Sequence, residues 1–227
     1  MRKAVVSSFS RTEHETRARL LKAAEQLFAG RGFKDVTVRE ICRAARANVA
    51  AVNYHFGDKL GLYREVLQVA IDAIRETNDA ARAAGTGRPP EEKLRRYLVV
   101  FLQRVLSPEY DTVHRLIQRE IDQPTPAMDA LVEQAARPRL EYLASVVAEM
   151  TAGDPTDPTV LYCVGSIMSQ TLMYIRKNPI AERLGFTFTP TRANIEAASG
   201  RIATFSVAGV RAIAQTRHQP RAIGHSV

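Results

Sequence analysis

Residues 37–59 read TVREICRAARANVAAVNYHFGDK, and the punctuation of this stretch decides the fold. Thr37 followed three residues later by Glu40 is a capping box, which starts a helix by satisfying two free backbone N–H groups reciprocally. Val38, Ile41 and Cys42 then share one helical face. Ala45–Arg46–Ala47 breaks that helix, and Asn48 caps a second short one that ends near His55. Two short helices joined by a tight turn, preceded by a longer helix, have the layout of a three-helix helix-turn-helix head. The second of the pair is uncharged and small on one side (Ala50, Ala51), so its backbone can approach base edges in a major groove. Arg39, Arg43, Arg46, Tyr54, His55 and Lys59 flank it as groups able to meet phosphates. A fourth helix, capped by Asp58, offers further N-terminal N–H groups.

Upstream, Thr12 and Glu15 form another capping box, so the first helix is expected to start near Thr12. Its apolar face is Leu20, Leu21, Ala24, Leu27 and Phe28, and it stops at Gly30–Arg31–Gly32. The expected head core is Phe28, Phe33, Ile41, Val52 and Phe56. Downstream, Leu62, Tyr63, Val66, Leu67, Ala70, Ile71 and Ile74 line one face of a helix reaching about residue 83. Gly85–Pro90 is a linker. Helix five follows Pro89–Pro90, with Glu91 and Glu92 favourable in its first turn. Ser107–Pro108 opens a sixth helix, with Val113, Leu116, Ile117 and Ile121 on its apolar face. Thr125–Pro126 opens a seventh, which Pro138 should kink or break. Asp157–Pro158 opens an eighth, ending near Asn178–Pro179. Thr189–Pro190 precedes a ninth over 191–215. The polar tail 216–227 is expected to be disordered. With no strand pattern anywhere, the expectation is an all-α chain of about nine helices. A head occupies 12–58 and a ligand-binding and dimerisation body 59–215, with helix 59–83 linking them.

The charge pattern agrees with this division. Of the net +8, residues 1–65 carry 13 Lys and Arg against 7 Asp and Glu, and residues 66–227 carry 19 against 17. A basic first quarter on a near-neutral remainder reads as a polyanion-binding head on a neutral body. No apolar run approaches the length of a membrane span, the longest useful one being Tyr97 to Leu102. The first ten residues lack the apolar stretch of a signal peptide, and Cys42 and Cys163 sit in apolar helical patterns as reduced thiols, so a cytoplasmic protein is expected. Catalytic signatures are missing: no Gly-rich phosphate loop, no Gly-x-Ser-x-Gly elbow, no His-x-x-x-His and no Cys-x-x-Cys. The histidines, His14, His55, His114, His218 and His225, are scattered. Neither an enzyme nor a cofactor or metal site is expected.

The stretch from Thr16 to Leu67 resembles the DNA-binding head of the TetR family of bacterial repressors. The resemblance is carried by Ala24–x–x–Leu27–Phe28, Gly32–Phe33, Thr37–Val38–Arg39–Glu40–Ile41 and Tyr54–His55–Phe56–x–x–Lys59. Asn48 to Phe56, the Gln118–Arg–Glu…Pro124–Thr–Pro–Ala segment and Gln170–x–x–x–Tyr174…Asn178–Pro179 resemble the CecR-like branch. The resemblance implies that Thr37 and Arg39 lie at the start of the second helix, against the DNA backbone or also a base. Asn48 opens the recognition helix, Val49, Ala50 and Asn53 face bases, and Tyr54, His55 and Lys59 grip phosphates. Asn53 stands where many relatives carry an aromatic residue, and an Asn can bond adenine bidentately. Arg46 stands where relatives usually place Gly. If that turn needs positive φ, Arg there costs about 1 kcal/mol; either a phosphate contact by Arg46 offsets it, or the turn is slightly altered and Arg46 is solvated.

The resemblance also implies a body that dimerises and holds a small-molecule inducer. Helix eight carries Leu161, Gly165 and Leu172, and helix nine carries Ile195, Ile202, Phe205 and Gly209. Two such helices from each subunit can form a four-helix homodimer interface. Candidate pocket residues are His114, Gln118, Tyr142, Met168, Gln170, Met173 and Tyr174, a mixture fitting an apolar cavity with a few orienting polar groups. The expected function is a ligand-responsive repressor, released from a palindromic double-stranded DNA operator by a small hydrophobic or amphipathic inducer. The alternative is a low-specificity architectural DNA-binding protein, which would leave the large neutral body without a purpose.

Overall fold

The computed structural model describes the backbone of residues 2–175 and 179–218, with side chains between 13 and 215 within those limits. Every regular element among the described residues is helical. In chain order they are α1 (Arg2–Arg31), α2 (Val38–Ala45), α3 (Val49–Phe56), α4 (Lys59–Ala84), α5 (Pro90–Val105) and α6 (Asp111–Asp122), the last preceded by a 3₁₀ turn at Pro108–Tyr110. There follow α7 (Met128–Leu131), α8 (Arg137–Thr151), α9 (Pro158–Ile175), α10 (Pro179–Arg183) and α11 (Arg192–His218).

The chain forms two compact units. The first comprises Met1–Arg75 and Pro108–Ala136, the second Glu76–Ser107 and Arg137–Val227. The head is thus larger than its three-helix reading: it takes in most of α4, together with α6 and α7, and α6 packs along α1. Its core joins Leu20, Ala24 and Phe28 of α1 to Ile41, Val52 and Phe56 of the helix pair, with Leu62, Tyr63, Val66, Leu67, Ile71 and Leu116 completing it. Each large apolar side chain buried there contributes roughly 1.5–3 kcal/mol. The second unit has its own core, where Leu94, Leu98 and Leu102 of α5 meet Leu143 and Val147 of α8, Val164 and Ile167 of α9, and Ile195, Ile202 and Val210 of α11.

Several elements differ from the sequence expectation. Helix α1 runs on through Thr12 from Arg2, so the chain has no helix start at Thr12. The seventh helix is split, because a π-helical turn at Val132–Ala136 separates α7 from α8. Pro138 lacks an N–H and its ring crowds the carbonyl four residues earlier, and a widened turn just before it relieves both. A short α10 follows the predicted end of helix eight, of which residues 176–178 lie outside the described residues. Helix α11 continues to His218, through the first three residues read as disordered tail, and residues 219–227 lie outside the described residues. On α6 it is Glu120 that is buried, while Ile121 is half exposed.

Candidate nucleic-acid interface

The helix pair is built as its caps dictate. The Glu40 amide donates to Thr37 Oγ1 at 3.3 Å, and the Thr37 amide donates to Glu40 Oε2 at 2.8 Å. The Glu40 carboxylate also accepts from the Thr37 hydroxyl at 2.7 Å and pairs with Arg31 at 2.9 Å. These bonds, the Thr37 hydroxyl foremost, hold the Glu40 carboxyl down at about 2 from its ordinary 4.5. Helix α2 ends at Arg46, which adopts φ 51° and ψ 49°, the left-handed conformation that glycine adopts without steric penalty. The Ala47 amide closes the turn on the Cys42 carbonyl at 2.9 Å. Asn48 Oδ1 then accepts from the Ala51 amide at 2.8 Å and starts α3. Helix α3 ends at Gly57, with φ 78°, and Asp58 Oδ1 accepts from the Gly61 amide at 2.7 Å to start α4.

Helix α3 is divided lengthwise. Val52 and Phe56 are buried in the head, whereas Val49, Ala50, Asn53 and Tyr54 are exposed, Tyr54 at 73%. Those four occupy positions i, i+1, i+4 and i+5, one face of a helix. An exposed apolar valine and an exposed aromatic ring beside an amide make a surface with hydrogen-bonding and van der Waals capacity. Thr37, Arg39, Arg43, Arg46 and Asn48 are exposed as well. The chemistry available is a short neutral helix face flanked by guanidinium groups, which suits base edges between phosphates.

Other site residues have structural work within the head. Lys59 is half-buried with its ammonium 4.3 Å from the centre of the Phe33 ring, and burial lowers its pKa. His55 is half-buried, edge-on to Tyr54 with ring centres 4.9 Å apart. The Thr37 hydroxyl and the Asn48 carbonyl oxygen are engaged in capping, and the Gly61 amide is already bonded to Asp58. Arg17 pairs with Glu65 and lies over the Phe56 ring, tying α1 to α4 and to the end of α3.

The seven candidate pocket residues do not come together in one unit. His114 and Gln118 belong to the first, where Gln118 donates to Asp122 at 2.7 Å. Tyr142, Met168, Gln170, Met173 and Tyr174 belong to the second. Met173 and Tyr174 line a cavity of about 410 Å³ with Leu106, Phe186 and Phe188. Tyr142 and Met168 pack against the core, and Gln170 donates to Ser206 at 3.0 Å. A cleft of about 610 Å³ between α5 and α11 was not foreseen; it is lined by Glu91, Glu92, Arg95, Ala203, Val207 and Arg211.

The candidate dimer residues also divide. Ile195 and Ile202 are buried in the protomer's own core, so they cannot form an outer face as expected. Leu161, Gly165 and Leu172 on α9 and Phe205 on α11 are exposed, Phe205 at 72%, and Gly209 is half-buried. Tyr162, given no role in the sequence reading, and Met173, read there as a pocket residue, extend the exposed apolar stripe of α9 at helical spacing.

Comparison with known proteins bears on both units. A family model described as bacterial regulatory proteins of the tetR family matches residues 20–66, and one described as the C-terminal domain of the HTH-type transcriptional dual regulator CecR matches residues 90–210. The HTH-type transcriptional dual regulator CecR of Shigella flexneri is 27% identical over 183 residues, covering 76% of this chain and 82% of that protein. Among solved structures, a transcriptional regulator from Pseudomonas aeruginosa PAO1 is similar at a TM-score of 0.62 and 21% identity, over 89% of this chain and 93% of that one. AibR, solved in complex with isovaleryl coenzyme A and operator DNA, is similar at a TM-score of 0.61 and 16% identity, over 83% of this chain and 97% of that one. At such identities the structural likeness is one of fold.

Proposed function

The chain belongs to the TetR family of DNA-binding transcriptional regulators, and on that premise we propose that it is a homodimeric repressor released from a palindromic operator by a small hydrophobic or amphipathic molecule. The observation that carries this reading is the exposed face of α3, where Val49, Ala50, Asn53 and Tyr54 stand clear of the head core, together with the exposed Arg39, Arg43 and Arg46 of α2 and the turn before α3. Val49, Ala50 and Asn53 read base edges. Arg39, Arg46 and Tyr54 meet phosphates, with Thr37 and Asn48 holding the two helix starts, and with His55 and Lys59 at the far end of α3. One such face reads only a few base pairs, so a second copy doubles the site.

The exposed apolar stripes of α9 and α11 support pairing through Leu161, Gly165, Leu172 and Phe205. The cavity beside Met173 and Tyr174 supports a hydrophobic or amphipathic inducer, because its walls are mostly aromatic and aliphatic, with Glu182 and Thr187 as polar groups. Helix α4 is continuous through residues of both units, and it is the lever through which inducer binding acts on the head. A coupling of about 1–3 kcal/mol is enough, giving a loss of DNA affinity of roughly 5- to 150-fold.

Fluorescence anisotropy with the DNA flanking the gene and with unrelated DNA of equal length tests the reading. Binding to the flanking DNA about 10³-fold tighter or more, reduced selectively by Asn53→Ala, is the expected result. Equal affinity for the two duplexes would instead favour the architectural role.

A further inference from the structure

Within the first unit, the segment Gln118–Ala127 makes contacts that the α3 face alone does not explain. Glu120 is fully buried, yet it is a carboxylate. It accepts from the Tyr63 hydroxyl of α4 at 2.6 Å and from the Thr125 amide at 2.8 Å, and the Thr125 hydroxyl lies 3.0 and 3.2 Å from its two oxygens. Thr125 in turn accepts from the Ala127 amide at 3.1 Å. A buried carboxylate is retained only where such bonds replace its water, so its geometry is tightly fixed. Burial, and secondarily the bond to Glu120, push the Tyr63 hydroxyl well above its ordinary pKa, so it remains a donor.

The Tyr63 ring carries the contact onward. It lies edge-on to Phe28 of α1 and tilted against Phe33 in the α1–α2 turn, with ring centres 5.0 Å away in each case. The neighbouring Arg119 donates to the Gly30 carbonyl at 2.6 Å, close to the point where α1 hands over to that same turn. Two consecutive residues of α6 thus hold the two supports of the helix pair, α4 by way of Tyr63 and the end of α1 by way of Gly30.

We infer that Arg119 and Glu120, with Tyr63 and Thr125, are positioning residues for DNA recognition, which fix α1 and α4 so that α2 and α3 present their exposed face in one orientation. The inference rests on α3 being the DNA-reading element. It concerns sequence selectivity, because non-specific affinity comes from the summed basic charge, which Tyr63→Phe leaves unchanged and Arg119→Gln lowers by only one.

The experiment selects duplexes from random DNA with the wild-type protein, then measures the best duplex and an unrelated one with Tyr63→Phe and Arg119→Gln. Tyr63→Phe keeps the ring packing and removes only the hydroxyl. Arg119 is exposed, so its variant folds even if Tyr63→Phe does not. The expected result is a loss of about fivefold or more in affinity for the selected duplex, with affinity for unrelated DNA held within about twofold. Melting temperatures that fall while the ratio of the two affinities stays at the wild-type value would overturn the inference and leave the cluster a purely structural one. A wild-type protein that enriches no sequence would overturn both this inference and the reading of α3 beneath it.

Discussion

At the scale of single residues, Arg46 carries the most direct evidence of a compromise. Its φ of 51° places a residue with a Cβ and a long cationic side chain where the backbone favours glycine. Relief of that strain by Arg46→Gly, less the extra entropy of a glycine in the unfolded chain, should stabilise the head by about 0.5–1 kcal/mol, seen as a higher melting temperature in calorimetry. If Arg46 meets a phosphate, the same substitution lowers the slope of log affinity against log salt by about 1. Glu40 gives a prediction in pH. Folding holds its carboxyl at about 2 against an ordinary 4.5, so its stabilising contribution is present above pH 4.5 and is lost as the pH falls through about 2. Glu40→Ala should therefore be less stable than the wild type in denaturant unfolding at pH 7, and the difference should close on acidification across that window.

At the scale of elements, α3 divides lengthwise into a buried face and an exposed one, and in the proposed function the exposed face is the one that meets DNA. Ala50 is exposed and touches no core, so Ala50→Glu should leave the melting temperature nearly unchanged while lowering DNA affinity about 100-fold or more by placing a carboxylate against phosphates. Anisotropy and calorimetry on the same sample check both halves. The caps and apolar faces of α2, α3, α4 and α5 were legible because each depends on residues three or four apart: Thr37 with Glu40, Asn48 with Ala51, Leu94 with Leu98. What escaped the sequence depends on partners distant along the chain. Glu120 lies seven residues after Val113 and four after Leu116, on the buried stripe of α6, but a carboxylate on such a stripe signals burial only once Tyr63 is known to face it. Ile195 and Ile202 fit an interface stripe equally well as a core stripe, and only the packing of α11 on α5 and α8 assigns them to the core. The continuation of α1 through Thr12 likewise shows that a local capping signal yields to an uninterrupted helix.

At the scale of the whole molecule, the division into units groups α6 and α7 with the helix pair, so His114 and Gln118 lie in a different unit from the other five residues that the sequence had placed in a ligand pocket. The remaining exposed apolar surface on α9 and α11 is what pairing requires. Phe205→Glu should leave the protomer folded, because Phe205 is 72% exposed, and should raise the dimer dissociation constant about 100-fold or more in sedimentation velocity. An unchanged dimer would move the interface elsewhere. The central claim, that two copies present two α3 faces to one stretch of DNA, is tested most directly by footprinting the purified protein on the DNA flanking its gene at near-physiological salt. The account predicts one protected palindrome whose half-site centres lie about 34–36 Å apart, or a multiple of that, on one side of the duplex. Diffuse protection without two-fold symmetry would contradict it.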